Sequence, residues 1–392
     1  MGEKEWGRDT PLEARAAEFP SWLFITHNEQ THTNTQHFAF SVWNERATML
    51  LRAANGSVGA AGRRLFSQQP TSIVTPYVYS LPLSQRAGVE VQLKLDALQQ
   101  SGSFKDRGIG HLCEHLKREG ATRLISSSGG NAGHAVANCG RILGMGVHVV
   151  VPTTTKAIMV DKIRAHGAEV QIHGANWNEA DALARALVAD DAAAEYVHPF
   201  DHPLIWAGHG GMVREMAAEV AGGRAPKPDA IVACVGGGGM LIGIYDALAE
   251  VGWADSVRVV SAETEGAASF ARAFEAGCTP VTLDGINSIA TSLGALRVAD
   301  ALLERAAAYP GGTHAAVVSD AAAVGACERF ADDHRLLVEP ACGAALAVVD
   351  SSTAKAAGGP LQDCEHVAVV VCGGGGVTMD ILRGWIADVG TE

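Results

Sequence analysis

From about residue 71 the chain alternates short apolar runs with longer amphipathic stretches. VQLKL (91–95), TRLISSS (122–128), VHVVVP (147–152) and EVQIHG (169–174) read as strands, being short, β-rich and bounded by polar or glycine-bearing segments. HLCEHLKREG (111–120), IMVDKIRAHG (158–167) and NEADALARALVADD (178–191) carry the helical spacing between them. A second series follows in AIVACVG (230–236), VRVVSAE (257–263) and HVAVVVCGG (366–374). Runs this continuous in Val, Ile and Ala suit strands buried on both faces of a parallel sheet. The pattern therefore predicts an α/β protein with two sheet-centred lobes.

Residues 1–70 do not share the pattern. They hold polar clusters such as HNEQTHTNTQH, then MLLRAANGSVGAAGRRLFSQQ (49–69), which has three arginines and no acid. Acid-free, Arg-bearing and amphipathic composition matches a mitochondrial presequence, with the matrix as the expected compartment and the cytoplasm as the alternative. Met49 raises the further reading that translation begins there. A plain N-terminal extension explains the same composition.

The length of 392 residues corresponds to two or three domains at about 150 residues each. A formal charge of −13 argues against a nucleic-acid partner, since phosphate-backbone affinity needs clustered Lys and Arg. The eight cysteines form no Cys-x-x-Cys pair, which suits reduced thiols rather than a zinc or disulfide framework. No apolar stretch approaches the roughly 20 residues of a membrane-spanning helix.

Ligands of open α/β sheets bind where strands end and loops lead into helices. Three loops here have unusual chemistry in that setting. ISSSGGNAGHA (125–135) puts three hydroxyls and two glycines before a helix expected near Asn131, which suits a carboxylate. CVGGGGMLIG (234–243) is a strand, four glycines and a helix; its amides can converge on a phosphate. Met240 follows Gly239, so this is no Walker loop and a nucleoside triphosphate does not fit. VVVCGGGGVT (369–378) ends a buried strand in Cys372. To these the stretch SGSFKDRGIG (101–110) adds Lys105, with Ser103 as the expected helix cap and Asp106 in the first turn. A phosphate cradle plus a positioned lysine points to pyridoxal phosphate, which needs an amine for its Schiff base.

The stretches SGSFKDRGIGH, SSSGGNAGHA, PFDHPLIWAGH, VGGGGML, SAETEGAASF, LVEPACGAALA and VVVCGGGG occur in one order. In that order they resemble the serine/threonine dehydratases, in particular the animal-type serine dehydratases, among tryptophan-synthase-β-like pyridoxal-phosphate enzymes. The resemblance implies a two-domain fold with open, twisted, mostly parallel sheets and helices on both faces. Residues 71–98 and 204–392 would form the large domain and 99–203 the small one. It implies that Lys105 forms the Schiff base and acts as catalytic base, that Phe104 packs beside the cofactor ring, and that Asn131 bonds the phenolic oxygen. Gly236, Gly237, Gly238, Gly239 and Met240 would hold the phosphate, and Cys372 would face the pyridine nitrogen. Ser128, Gly129 and Asn131 would hold the substrate carboxylate. Glu263, Ala267, Leu293 and Ala295 match positions for a monovalent cation, usually potassium. The implied reaction is β-elimination of L-serine to pyruvate and ammonia, with L-threonine giving 2-oxobutyrate, in a homodimer.

Three readings compete: L-threonine ammonia-lyase, serine racemase, and a catalytically poor cofactor-binding or ligand-sensing protein. Gly129 stands where the main animal enzyme has Ala, which is expected to leave extra space. CGGGGV replaces the usual Cys-Gly-Gly-Ser-Asn, and His202 replaces an Asp. His198, His202 and His209 together invite a metal reading, but no ligand-bearing helix spacing supports it.

Overall fold

The computed structural model describes residues 69–390. Nearly all of the extension 1–70, with Met49 and almost all of the presequence-like segment 49–69, lies outside the described residues.

Ten strands form two sheets among the described residues. The first contains β1 (Tyr77–Tyr79), β2 (Glu90–Lys94), β7 (Ala230–Cys234), β8 (Arg258–Thr264), β9 (Thr313–Val318) and β10 (His366–Val370), in the order β1-β2-β10-β7-β8-β9. Only β1 runs antiparallel to its neighbour. The second contains β3 (Arg123–Ser126), β4 (Gly146–Val151), β5 (Glu169–Ile172) and β6 (Ala194–Tyr196), all parallel, in the order β5-β4-β3-β6. The α/β expectation holds, with helices covering the sheets.

Seven strands coincide with the apolar runs read from the sequence. β1 and β6 are three-residue strands, too short to show a period, and β9 is an edge strand of half-buried residues. The alternation of VQLKL suggests a half-solvated strand, yet Gln92 and Lys94 are buried along with Val91 and Leu93. Lys94 is admitted to the interior because it is paired. Its Nζ donates to the Thr75 carbonyl at 2.6 Å and to Glu215 at 2.5 Å.

The same carboxylate meets Arg107, whose guanidinium also grips Asp96 at 2.6 and 2.9 Å. Thr75 Oγ1 closes the network by donating to Asp96 at 2.7 Å. Buried charges of this kind are tolerated only when every partner is present. The network joins the segment before β1, the end of β2, helix α1 (Lys105–Arg118) and helix α3 (Gly211–Ala221).

Candidate active site

The sheet order brings three loops to one place. β2, β10 and β7 are parallel neighbours, and their carboxyl ends lead respectively to Lys105, to Cys372 and to Gly236–Gly239. A main-chain zipper holds the first two together. The Phe104 amide donates to the Cys372 carbonyl at 2.9 Å, the Gly374 amide to the Gly102 carbonyl at 3.0 Å, and Ser103 bridges Gly373. Gly373 is at φ +115°, and an added Cβ would stand 2.3 Å from the Gly102 carbonyl oxygen, so this approach requires glycine.

Helix α1 begins at Lys105, several residues before the amphipathic stretch that announced it. Ser103 does not cap it. Phe104 occupies that position in helical geometry, and the Ser103 hydroxyl is buried without a partner. Asp106 turns back instead, accepting from the Ser101 amide at 2.7 Å and from Asn138. The half-buried Lys105 amine donates to the Pro199 carbonyl at 2.8 Å and lies 5.0 Å from the Phe104 ring centre. Desolvation lowers its pKa from 10.5 to about 8, so a substantial fraction is a neutral nucleophile near physiological pH.

The glycine loop lies between β7 and helix α4 (Gly239–Glu250). No amide from Gly236 to Met240 donates a hydrogen bond within the described residues. Five unused donors at a helix N-terminus fit a phosphate. The glycines are also sterically required. A Cβ on Gly237 would meet the Phe200 ring at 2.3 Å, one on Gly239 the Phe200 carbonyl at 2.4 Å, and Gly238 has φ +95°.

Cys372 is buried, and its Sγ lies 3.5 Å from Cys234 Sγ. Hydrogen bonding to Cys234 and Cys342, with burial, pushes the Cys372 thiol well above its ordinary value, so it stays neutral. Cys234 was legible as a cysteine in the apolar run two residues before Gly236, but its contact depends on strand order, which the sequence does not show.

The Ser loop follows β3 and leads into helix α2 (Asn131–Leu143), the start expected from the sequence. Two of its three serines are structural. Ser126 donates to the Val197 carbonyl at 3.0 Å, and Ser127 donates to Asp181 at 2.8 Å beside Tyr196. Ser128 alone stays in the turn, accepting from the Gly130 amide at 3.3 Å, while the amides of Gly129 and Asn131 donate to nothing described. The turn is tight because Gly133 lacks a side chain; a Cβ there would overlap the Ser128 carbonyl at 1.8 Å. The expected extra space at Gly129 does not exist. A Cβ there would fall 2.4 Å from Thr155 Oγ1, so Thr155 occupies it.

Glu263 is fully buried and accepts from the amides of Phe270 at 2.9 Å and Ala271 at 2.7 Å. Burial raises its pKa to about 7 against those two bonds. Ala267 lies in the following single turn, Glu265–Ala267. Leu293 ends the turn Thr291–Leu293, and its carbonyl accepts from the Ala295 amide at 2.7 Å. The three histidines do not assemble a metal site. His198 and His202 accept from local amides, His209 is buried against Phe104, and no metal-holding cluster of His, Cys, Asp and Glu occurs among the described residues.

An amine, a cradle of free amides and a buried thiol at one sheet edge are the complement of a phosphorylated pyridine aldehyde. The chain belongs to the pyridoxal-phosphate dependent enzymes, whose family pattern it matches over residues 69–373. It is 44% identical over 328 residues to a mouse protein named "Serine dehydratase-like", covering 83% of this chain and 97% of that one. It is 42% identical over 322 residues to the human "L-serine dehydratase/L-threonine deaminase", covering 81% and 96% respectively. Its fold matches a crystal structure of a fungal L-serine ammonia-lyase from Rhizomucor miehei with a TM-score of 0.74 and 33% identity, covering 82% and 100%.

No helix among the described residues is long and apolar enough to cross a membrane.

Proposed function

We propose that this protein is a lyase that converts L-serine to pyruvate and ammonia, and L-threonine to 2-oxobutyrate and ammonia. The observation that carries the reading is the desolvated Lys105 amine, set beside the neutral Cys372 thiol and the unused amides of Gly236–Met240. Bound pyridoxal phosphate supplies an aldehyde for an amine and a conjugated ring that withdraws charge from the substrate α-carbon.

The chain supplies the rest. Gly236–Met240 would hold the phosphate through their amides, and Phe104 would flank the ring. Asn131 would offer its side-chain amide to the phenolic oxygen. Ser128 and the free amides of Gly129 and Asn131 hold the substrate carboxylate. The Lys105 Nζ, neutral in part near physiological pH, would take the substrate α-proton. Cys372 would face the ring nitrogen as a neutral group. A neutral thiol would not keep that nitrogen charged as a carboxylate does, which would disfavour transamination. The relatives named for L-serine and L-threonine support a small amino acid as the substrate. We also assign a potassium-type cation to Glu263 and the carbonyls of Ala267, Leu293 and Ala295, with the carboxylate supplying the charge. The family resemblance extends the reading to a homodimer.

The test is release of 2-oxo acid and ammonia by the cofactor-loaded enzyme from L-serine, L-threonine and D-serine, with Lys105→Ala as control. Turnover of L-serine that disappears in Lys105→Ala supports the reading. Racemisation without pyruvate, or binding without turnover, overturns it.

A further inference from the structure

Glu339 is buried just before helix α5 (Pro340–Asp350), inside the apolar run LVEPACGA. Its carboxylate does not cap that helix. Oε2 instead accepts from Asn131 Nδ2 at 3.0 Å and from Ser292 Oγ at 2.5 Å, and Oε1 accepts from the Gly376 amide at 2.8 Å. Its own amide donates to the Gly373 carbonyl at 3.3 Å. One side chain thus joins the Asn131 loop, the turn holding Ser292 and Leu293, and the loop after Cys372.

The glycines after Cys372 make room for it. A Cβ on Gly374 would fall 2.5 Å from the Glu339 amide nitrogen, and one on Gly376 would fall 3.0 Å from Oε1. The run CGGGGV is therefore shaped to this carboxylate at two of its positions.

The hydrogen-bond inventory of Asn131 gives the arrangement its consequence. Its Oδ1 accepts from the Gly375 amide at 3.0 Å, which fixes the oxygen end of the side chain. One of the two Nδ2 hydrogens goes to Glu339. Reversing the amide would set Nδ2 against the Gly375 N–H and Oδ1 against a carboxylate, so both ends forbid it. One Nδ2 hydrogen remains. We propose that Glu339 is a positioning residue: it locks the Asn131 amide so that a single, directed N–H faces the cofactor's phenolic oxygen. This rests on the assignment of Asn131 to that oxygen.

A carboxylate is the side chain that suits this place, because all three neighbours donate to it. Glutamine has one acceptor oxygen and a donor nitrogen, so Glu339→Gln sets a donor against either Asn131 or the Gly376 amide. Ser292 can rotate its hydroxyl; the other two cannot adapt.

The experiment is a pH titration of the cofactor's visible absorbance band in the loaded full-length enzyme. It compares wild type, Asn131→Ala, Glu339→Gln and the double variant, with thermal melting of each to confirm folding. Losing a donor at a phenolate-like oxygen makes that oxygen more basic, so Asn131→Ala raises the midpoint by about one pH unit. Glu339→Gln is expected to raise it in the same direction, and the double variant to match Asn131→Ala alone. An unmoved midpoint in Glu339→Gln beside a moved one in Asn131→Ala overturns the proposal and leaves the Asn131 assignment standing. Additive shifts also overturn it. An unmoved midpoint in Asn131→Ala removes that assignment and the proposal with it. If Glu339→Gln does not fold, Glu339→Asp keeps the charge but withdraws the reach; an unmoved midpoint there is likewise fatal.

Discussion

The main-chain amide of Phe104 donates to the carbonyl of Cys372 at 2.9 Å. Residues far apart in sequence are thereby held as one piece, and the amine of Lys105 and the thiol of Cys372 keep a fixed separation. Gly373 permits the approach. Gly373→Ala is expected to cost about 1–3 kcal/mol of stability and to weaken cofactor binding, because Cβ meets the Gly102 carbonyl. Melting and cofactor titration check this. Unchanged cofactor affinity would show that the two loops are placed independently.

Burial lowers Lys105 from 10.5 to about 8. The fraction of neutral amine in the cofactor-free enzyme therefore rises through pH 8 rather than through pH 10. The rate of cofactor reloading should follow that rise. The sign for folding is the same. Between about pH 8 and 10.5 the unfolded chain binds the extra proton, so this group's contribution makes stability increase with pH across that window. A reloading midpoint near 10 would mean the amine is solvated.

Gly129 faces Thr155, not a void. Gly129→Ala should destabilise the enzyme by about 1–3 kcal/mol and raise KM for L-serine, as the carboxylate loop shifts from Thr155. Thr155→Ala in the same chain should recover at least half of the loss. A double variant no better than Gly129→Ala alone would exclude Thr155 as the cause.

Arg107 answers two carboxylates, Asp96 and Glu215, in the interior. Arg107→Met leaves both without their main partner and should cost about 3–5 kcal/mol in a denaturant melt. Arg107→Lys restores charge without the planar fork and should fall between the two. Equal stability of Lys and Met variants would show that geometry contributes more than charge.

Much of this site was legible because strand-loop-helix junctions concentrate glycine, serine and lysine in readable strings. Lys105, the glycine loop and Cys372 each stand at such a junction, and parallel strands bring their carboxyl ends to one edge. What was illegible depended on partners distant in sequence. Ser103 looked like a cap because its neighbours fit a helix start, but pairing with Gly373 claims its backbone. Ser126 and Ser127 looked available for a ligand, and their hydroxyls are spent on Val197 and Asp181. Thr155 was invisible as the occupant of the space beside Gly129. Glu339 offered one signal, an acid inside an apolar run, whose meaning appeared only with its three donors in place.

The last described strand in chain order, β10, lies between β2 and β7. A growing polypeptide that has emerged only through β9 lacks the strand that joins those two, and has Lys105 without Cys372 beside it. Assembly of this sheet edge therefore waits until β10 has been made. Until then the lysine is an ordinary amine on an unfinished sheet, and an aldehyde cofactor arriving early finds no completed pocket to hold it.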